Sequence, residues 1–185
     1  MKQKTNKSKK QKTWIWPLIV LILAISLSLS FSLLSELVLD GTAVAIAVIV
    51  ILVFIAVAII TDMLGLAVAS ANIEHFTAMA ARKVKGSKQA IALIKNADKV
   101  SSVLNDVIGD VCGILSGAAG ASIVTKIAID NGGSFMSILV PSLIAAIIAG
   151  LTIFGKAIFK KFAIKYANPI TLQFSKFLNL FTRKG

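Results

Sequence analysis

The sequence predicts an all-α integral membrane protein with about four transmembrane helices and amphipathic juxtamembrane helices on the cytoplasmic side. Three observations predict it. First, 57% of the 185 residues are hydrophobic and the mean hydropathy is +0.88, too apolar for an ordinary soluble domain. Second, the apolar residues fall in four runs, each near the ~20 residues a helix needs to cross a bilayer. Third, the bases fall in blocks between those runs. Residues 1–13 hold six Lys or Arg, 73–100 hold six and 156–185 hold seven, which leaves only Lys126 elsewhere. Blocks on one side of alternating spans are the positive-inside pattern. It places both termini and the central basic segment in the cytoplasm, in a multi-pass protein of the cell membrane.

Each element follows in order. Residues 1–13, MKQKTNKSKKQKT, form a basic tail without an apolar residue beyond Met1 and read as disordered and solvated. Trp14 and Trp16 suit the headgroup level. They open a first transmembrane helix over 14–37, uncharged from Ile15 to Ser35 and ended by Glu36 and Asp40-Gly41. A secretory signal also pairs a basic start with an apolar core, but this core is too long for one. A second span covers about 42–72. It is uncharged to Thr61 and continues through Asp62, longer than a membrane requires.

Residues 73–99 change character. Ile73, Phe76, Ala80 and Val84 recur at helical spacing, and Ala90, Ile91 and Ile94 do so after Gly86-Ser87. This predicts two short interfacial helices, with Ser87 as N-cap of the second. A third span covers about 101–127, with Asn105, Asp106 and Asp110 in its first half. Asp130-Asn-Gly-Gly133 is a turn, and a fourth span covers about 134–155 with a kink expected at Pro141. Residues 156–182 then read as a basic amphipathic tail, with stripes at Phe159, Phe162, Ala163, Tyr166 and at Ile170, Phe174, Phe177, Phe181 interrupted by Asn168-Pro169.

Several function classes lack their residues. One cysteine, Cys112, allows no intrachain disulfide, and with one histidine, His75, the chain lacks the set for a zinc site or a Cys/His catalytic pair. There is no phosphate loop and no nucleophile–base pair, so an enzyme is not expected. The formal net charge of +12 does not point to nucleic acid, because the bases lack the interleaved aromatics of a binding groove. His75 reads as interfacial, Cys112 as a packing residue, and Lys126 as a side chain that snorkels to the outer surface.

What remains is the polar content of the spans. Ionisable residues there are costly and mark candidate sites. Asp62 follows 21 uncharged residues, Gly41 to Thr61. Asp106 and Asp110 stand four apart, on one helical face, with Asn105 adjoining. Their oxygens suit a hard cation such as Mg²⁺ or Na⁺, and Ser70 and Asn72 offer two more or simply end a helix. Asp106 also reads as a cap at a helix start. Gly109, Gly113 and Gly117 repeat every four residues, a stripe that admits a partner helix closely. Lys156 is the first charge after the uncharged run that ends in the fourth span.

From residue 42 onward the order of features resembles the transmembrane domain of the cyclin M / CorB–CorC family of magnesium transporters. The corresponding stretches read DMLGLAVASAN (62–72), KGSKQAIALIKNADK (85–99), SSVLNDVIGDVCG (101–113) and FGKAIFKKFA (154–163). The resemblance covers 42–182, with the helix over 14–37 additional. It implies a homodimer that binds Mg²⁺ through serine and asparagine oxygens and the glutamate of a Phe-Gly-Glu-x-x-Pro-Lys motif. Carried over by position, Asp62 falls at a serine and Gly65 at a glutamate of the family's first motif, and Ser70 at a later serine. Lys156 falls at the glutamate of the last motif, Phe159 at its proline and Lys160 at its lysine. The family's asparagine motif has two competing counterparts, Asn105-Asp106 and Gly109-Asp110. The regulatory half that often follows in the family lies outside these 185 residues, which suggests a separate cytoplasmic regulatory protein.

The departure at 156 is chemically large. A lysine offers three donors, a positive charge and no acceptor, so its ammonium repels Mg²⁺. Two function classes follow. One is transport of a hard cation through Asp62, Ser70, Asn105, Asp106 and Asp110. The other is a non-transporting membrane module for dimerisation or partner binding, in which Lys156 fills the place of the cation and pairs with Asp62 or Asp110. A channel-forming or lytic protein is a third class, suggested by the basic tail. Membrane lipid is the expected partner in every case.

Overall fold

The computed structural model describes residues 4–39, 44–128 and 136–182, and all of them lie in helices or the short links between helices. The elements are α1 (Lys4–Leu39), α2 (Val44–Ser70), α3 (Ile73–Ala81), α4 (Ser87–Lys95), α5 (Ala97–Ser102), a π-helical segment (Val103–Gly109), α6 (Asp110–Ala128), α7 (Met136–Lys165) and α8 (Ala167–Thr182). Four stretches are long and apolar enough to cross a membrane: Ile15–Leu33, Ala45–Ser70, Ala97–Val124 and Ile138–Lys165. The all-helical class and the four candidate spans match the expectation from the sequence.

The third span sits at the centre. In its most apolar window 44% of residues are buried, against 0% for the first span. It packs on α2 and α7, which also pack on each other, while α1 lies along the π-helical segment and α6. The core is built largely from small residues: Ala47, Ala58, Ala67, Cys112 and Ala119 are buried beside Val68, Val107, Val111 and Leu115. Between lipid-facing helices there is no apolar transfer gain to exploit, so close backbone approach supplies the contact. Glycines extend this pattern. A Cβ at Gly109 would lie 3.3 Å from Thr61 Oγ1 and 3.4 Å from the Ala58 carbonyl, and a Cβ at Gly155 would collide with Ile59.

Beyond the ends of α2 and α7 the short helices form a second packed unit. Phe76 of α3 is fully buried, with Ala90 of α4 and Ala163, Ala167, Thr171 and Ser175 from the α7–α8 corner. Caps fix the corners. Asn72 Oδ1 accepts from the Glu74 N–H at 2.8 Å and so caps α3, while the Asn72 N–H donates to Asn168 Oδ1 at 2.9 Å. Gln89 Nε2 donates to Asn179 Oδ1 at 2.9 Å, tying α4 to α8. Trp16 of α1 reaches the same end, with Lys99 Nζ 5.1 Å from its ring centre.

Several boundaries differ from expectation. The cap of α4 is Gly86, at φ +89°, not Ser87. Ser87 is the first helical residue, and its hydroxyl donates backwards to the Val84 carbonyl. Glycine takes the cap because the turn needs a left-handed conformation that favours it. The fourth span does not stop before Lys156: α7 continues to Lys165, and its lysines are sound helix formers once a helix is nucleated. The break follows at Tyr166, and Pro169 is accommodated in the first turn of α8. The helix also runs unbroken across Pro141. Helix α1 begins at Lys4, inside the segment expected to be disordered. The turn at Asp130-Asn-Gly-Gly133 and the stop at Asp40-Gly41 lie outside the described residues, as does the side chain of Lys126.

Candidate functional site

The site forms where the π-helical segment passes into α6, between α1, α2 and α7. Asp110 is the first residue of α6, and Lys156 comes from α7. Lys156 Nζ donates to Asp110 Oδ1 at 2.8 Å across 46 residues of chain. The lysine side chain is 20% exposed and the aspartate 60%. This is a charge-assisted hydrogen bond of ordinary strong length. The sequence left Asp62 and Asp110 as rival partners, and the structure pairs Lys156 with Asp110.

Packing brings the ammonium there. Gly155 leaves room for Ile59, so α7 and α2 approach closely one residue before Lys156. Gly109 does the same between α2 and the π-helical segment, one residue before Asp110. Both charged residues therefore follow a glycine that seats its own helix on α2. π-Helical insertions recur at functional positions because they locally break the i→i−4 register. Here the insertion spans Asn105, Asp106 and Gly109.

The remaining candidates divide. Asp62, partly buried on α2, lies within electrostatic reach of Lys156, Asp110, Lys160 and Asp106. Among the described residues it makes no hydrogen bond or ion pair of its own. Asp106 Oδ2 accepts from Ser102 Oγ at 2.9 Å, one turn upstream. Asn105 points elsewhere: its side chain occupies the space that a side chain at Gly65 would fill, and its Oδ1 is buried without a partner. Ser70 lies eight residues beyond Asp62, about 12 Å along the axis at 1.5 Å per residue, and is exposed at the end of α2. Asn72 caps α3 instead of facing the site. Among the described residues no group of three or more His, Cys, Asp or Glu converges on a point that could hold a metal ion.

Two clefts flank Asp110. One, of about 550 Å³, lies between α1 and the third span and is lined by Ser28 and Ser32 together with Asp106 and Asp110. The other, of about 570 Å³, lies between α6 and α7, where Gly113, Gly117, Ala145 and Ala149 form a small-residue groove that ends at Asp110 and Lys156. The glycine stripe is thus split in function. Gly109 is closed against α2, a Cβ at Gly113 would touch only Thr152 at 3.8 Å, and Gly117 faces open space.

Ser28 and Ser32 were missed as site residues, because α1 reads from the sequence as an addition. Their signal was present: they stand four apart on one face of a serine-rich span, SLSLSFS (26–32). Gly65 and Gly155 were missed because a glycine's packing role depends on what approaches it. No protein-family model matches the chain, and no curated protein and no solved structure matches it.

Proposed function

We propose that this chain is a non-transporting membrane module for dimerisation or partner binding, in which Lys156 occupies the place a bound cation would take. A single contact carries the proposal, the 2.8 Å bond between Lys156 Nζ and Asp110 Oδ1. Magnesium demands near-octahedral oxygen ligation at about 2.0–2.1 Å. A resident ammonium uses one of the oxygens that ligation needs and repels the ion. The chain is, on this proposal, a relative of the magnesium-transporter transmembrane domain that keeps the helix order and has exchanged a metal-binding carboxylate for an internal counter-ion. The basic segments face the cytoplasm, and a homodimer or a separate cytoplasmic protein completes the assembly.

The competing function is transport of a hard cation, and one observation favours it. Asn105 Oδ1 is buried without a partner, and Asp62, near Asp110, makes no ion pair among the described residues. These oxygens retain free lone pairs, the Asp62 carboxylate near the ion pair and the Asn105 amide turned toward Gly65.

Thermal stability of the purified protein against Mg²⁺ separates the two. The counter-ion proposal expects no saturable rise in Tm at millimolar Mg²⁺. It expects Lys156→Glu to lower Tm without metal and to gain a Mg²⁺-dependent rise. A saturable rise in the unmodified protein, lost in Asp110→Ala, establishes transport-type binding instead, since a ligand at 100 times its Kd adds about 2.7 kcal/mol.

A further inference from the structure

The elbow between α3 and α4 concentrates positive charge that the bundle does not use. Arg82, Lys83, Lys85 and Lys88 fall within seven residues, and all are exposed. Lys176 of α8 joins them: its Cγ lies 2.9 Å from where a Cβ at Gly86 would sit. No acid offsets this charge in sequence, since 75–97 and 157–185 contain neither Asp nor Glu. Among the described residues none of these five cations is paired with a carboxylate.

The elbow is also held in shape. Lys83 at φ +56° and Gly86 at φ +89° turn the chain sharply. Ser87 and Ser175 are buried beneath the turn, and Gln89 bonds Asn179 across to α8. Five unpaired cations on a fixed frame repel one another. Such an arrangement is stabilised by a polyanion or an anionic surface.

The surroundings choose between those. The elbow packs on α8 at Ser175 and Lys176, and the same stretch of α8 exposes Phe177 and Leu180. Exposed apolar side chains beside exposed lysines, on short helices joined to membrane-length ones, match the headgroup–acyl boundary of a bilayer. We propose that the α3–α4 elbow, with Lys176, is a docking surface for the phosphate headgroups of anionic phospholipid. It is independent of the Lys156–Asp110 pair and holds whether or not that pair excludes a cation.

The test uses the full chain in mixed micelles, with Tm followed against added phosphatidylglycerol, phosphatidylcholine or inorganic phosphate. Phosphatidylglycerol should raise Tm saturably, and the other two should leave it unchanged. The triple variant Lys83→Gln/Lys85→Gln/Lys88→Gln should need about tenfold more phosphatidylglycerol or more for half of that rise, given the roughly additive pull of each lysine on an anionic surface. The variant Lys160→Gln/Lys161→Gln/Lys165→Gln removes the same charge from α7 and should keep the original half-point. Amine acetylation of the unmodified chain gives a readout that needs no variant: phosphatidylglycerol should protect Lys83, Lys85, Lys88 and Lys176 more than phosphatidylcholine does. Equal losses in the two triple variants overturn the proposal, as does a full rise with inorganic phosphate alone or protection spread evenly over all lysines.

Discussion

The middle of the bundle and its basic end are built on different principles. In the middle, polar groups face one another across long helices, and one strong bond, Lys156 to Asp110, joins them. Among the described residues Asp62 makes no bond of its own near that pair, and the Asn105 amide oxygen, turned toward Gly65, is buried without a partner. At the end, short helices are locked by caps and buried small side chains, with Phe76 fully enclosed and Asn72 serving both α3 and Asn168. The end is a frame whose shape is set by caps and buried contacts, with Thr171 Oγ1 buried without a partner and the cations of the elbow on its surface. The middle holds polar groups in excess of its own bonds, which is the usual condition of a site.

Substitutions can break this contrast, beginning where the frame is tightest. Phe76→Ala should cost about 3–5 kcal/mol, the range for emptying a closed aromatic site, and thermal unfolding will show a loss of that order if the end is a true core. The pair in the middle should matter less. Lys156→Ala should cost about 1–3 kcal/mol, between an exposed pair and a buried one, because Asp110 is 60% exposed. A double-mutant cycle with Lys156→Met and Asp110→Leu isolates the term. Additive effects in that cycle would remove the counter-ion from the account.

Two glycines sharpen the contrast within the middle itself. Gly65→Ala should destabilise by about 1–3 kcal/mol, because the new methyl meets the Asn105 amide. Gly117→Ala, facing open space, should stabilise an isolated chain by about 0.5–1 kcal/mol through helix propensity. If Gly117→Ala destabilises instead, the groove it faces is occupied by a partner in the assembled protein, and Tm measured across protein concentrations will tell the two states apart. Comparable in size to the last of these, Asn72→Ala should cost about 1 kcal/mol by uncapping α3, seen as faster amide exchange over 73–77.

Much of the fold was legible in the sequence, for a physical reason. Span length and hydropathy are local properties, and the blocks of lysine mark where spans end. Boundaries that depend on continuation were less legible. Lys156 reads as the end of an apolar run, yet α7 carries on to Lys165, because a helix once formed tolerates lysine and only the apolar pattern had stopped. The cap at Gly86 was misplaced by one residue for a similar reason. Serine is a good cap by chemistry, and the left-handed turn that prefers glycine appears only once α4 meets α8.

The site was half legible. Asp62, Asp106, Asp110 and Lys156 stood out because charge inside an apolar run is costly. Their division of labour did not. Lys156 could reach either Asp62 or Asp110 on sequence grounds, and Asn105 and Ser70 looked like companions. The packing of helices sets the rest: Gly109 and Gly155 lie close on α2 beside the paired Asp110 and Lys156, Asn105 turns toward Gly65, and the serines of α1 line a cleft with Asp106. The sequence by itself determined four membrane-length helices with their basic ends, since transfer from water depends on composition. The tertiary structure decided the pairing, since an ion pair depends on distances between helices that are set by the contacts of residues remote in the chain.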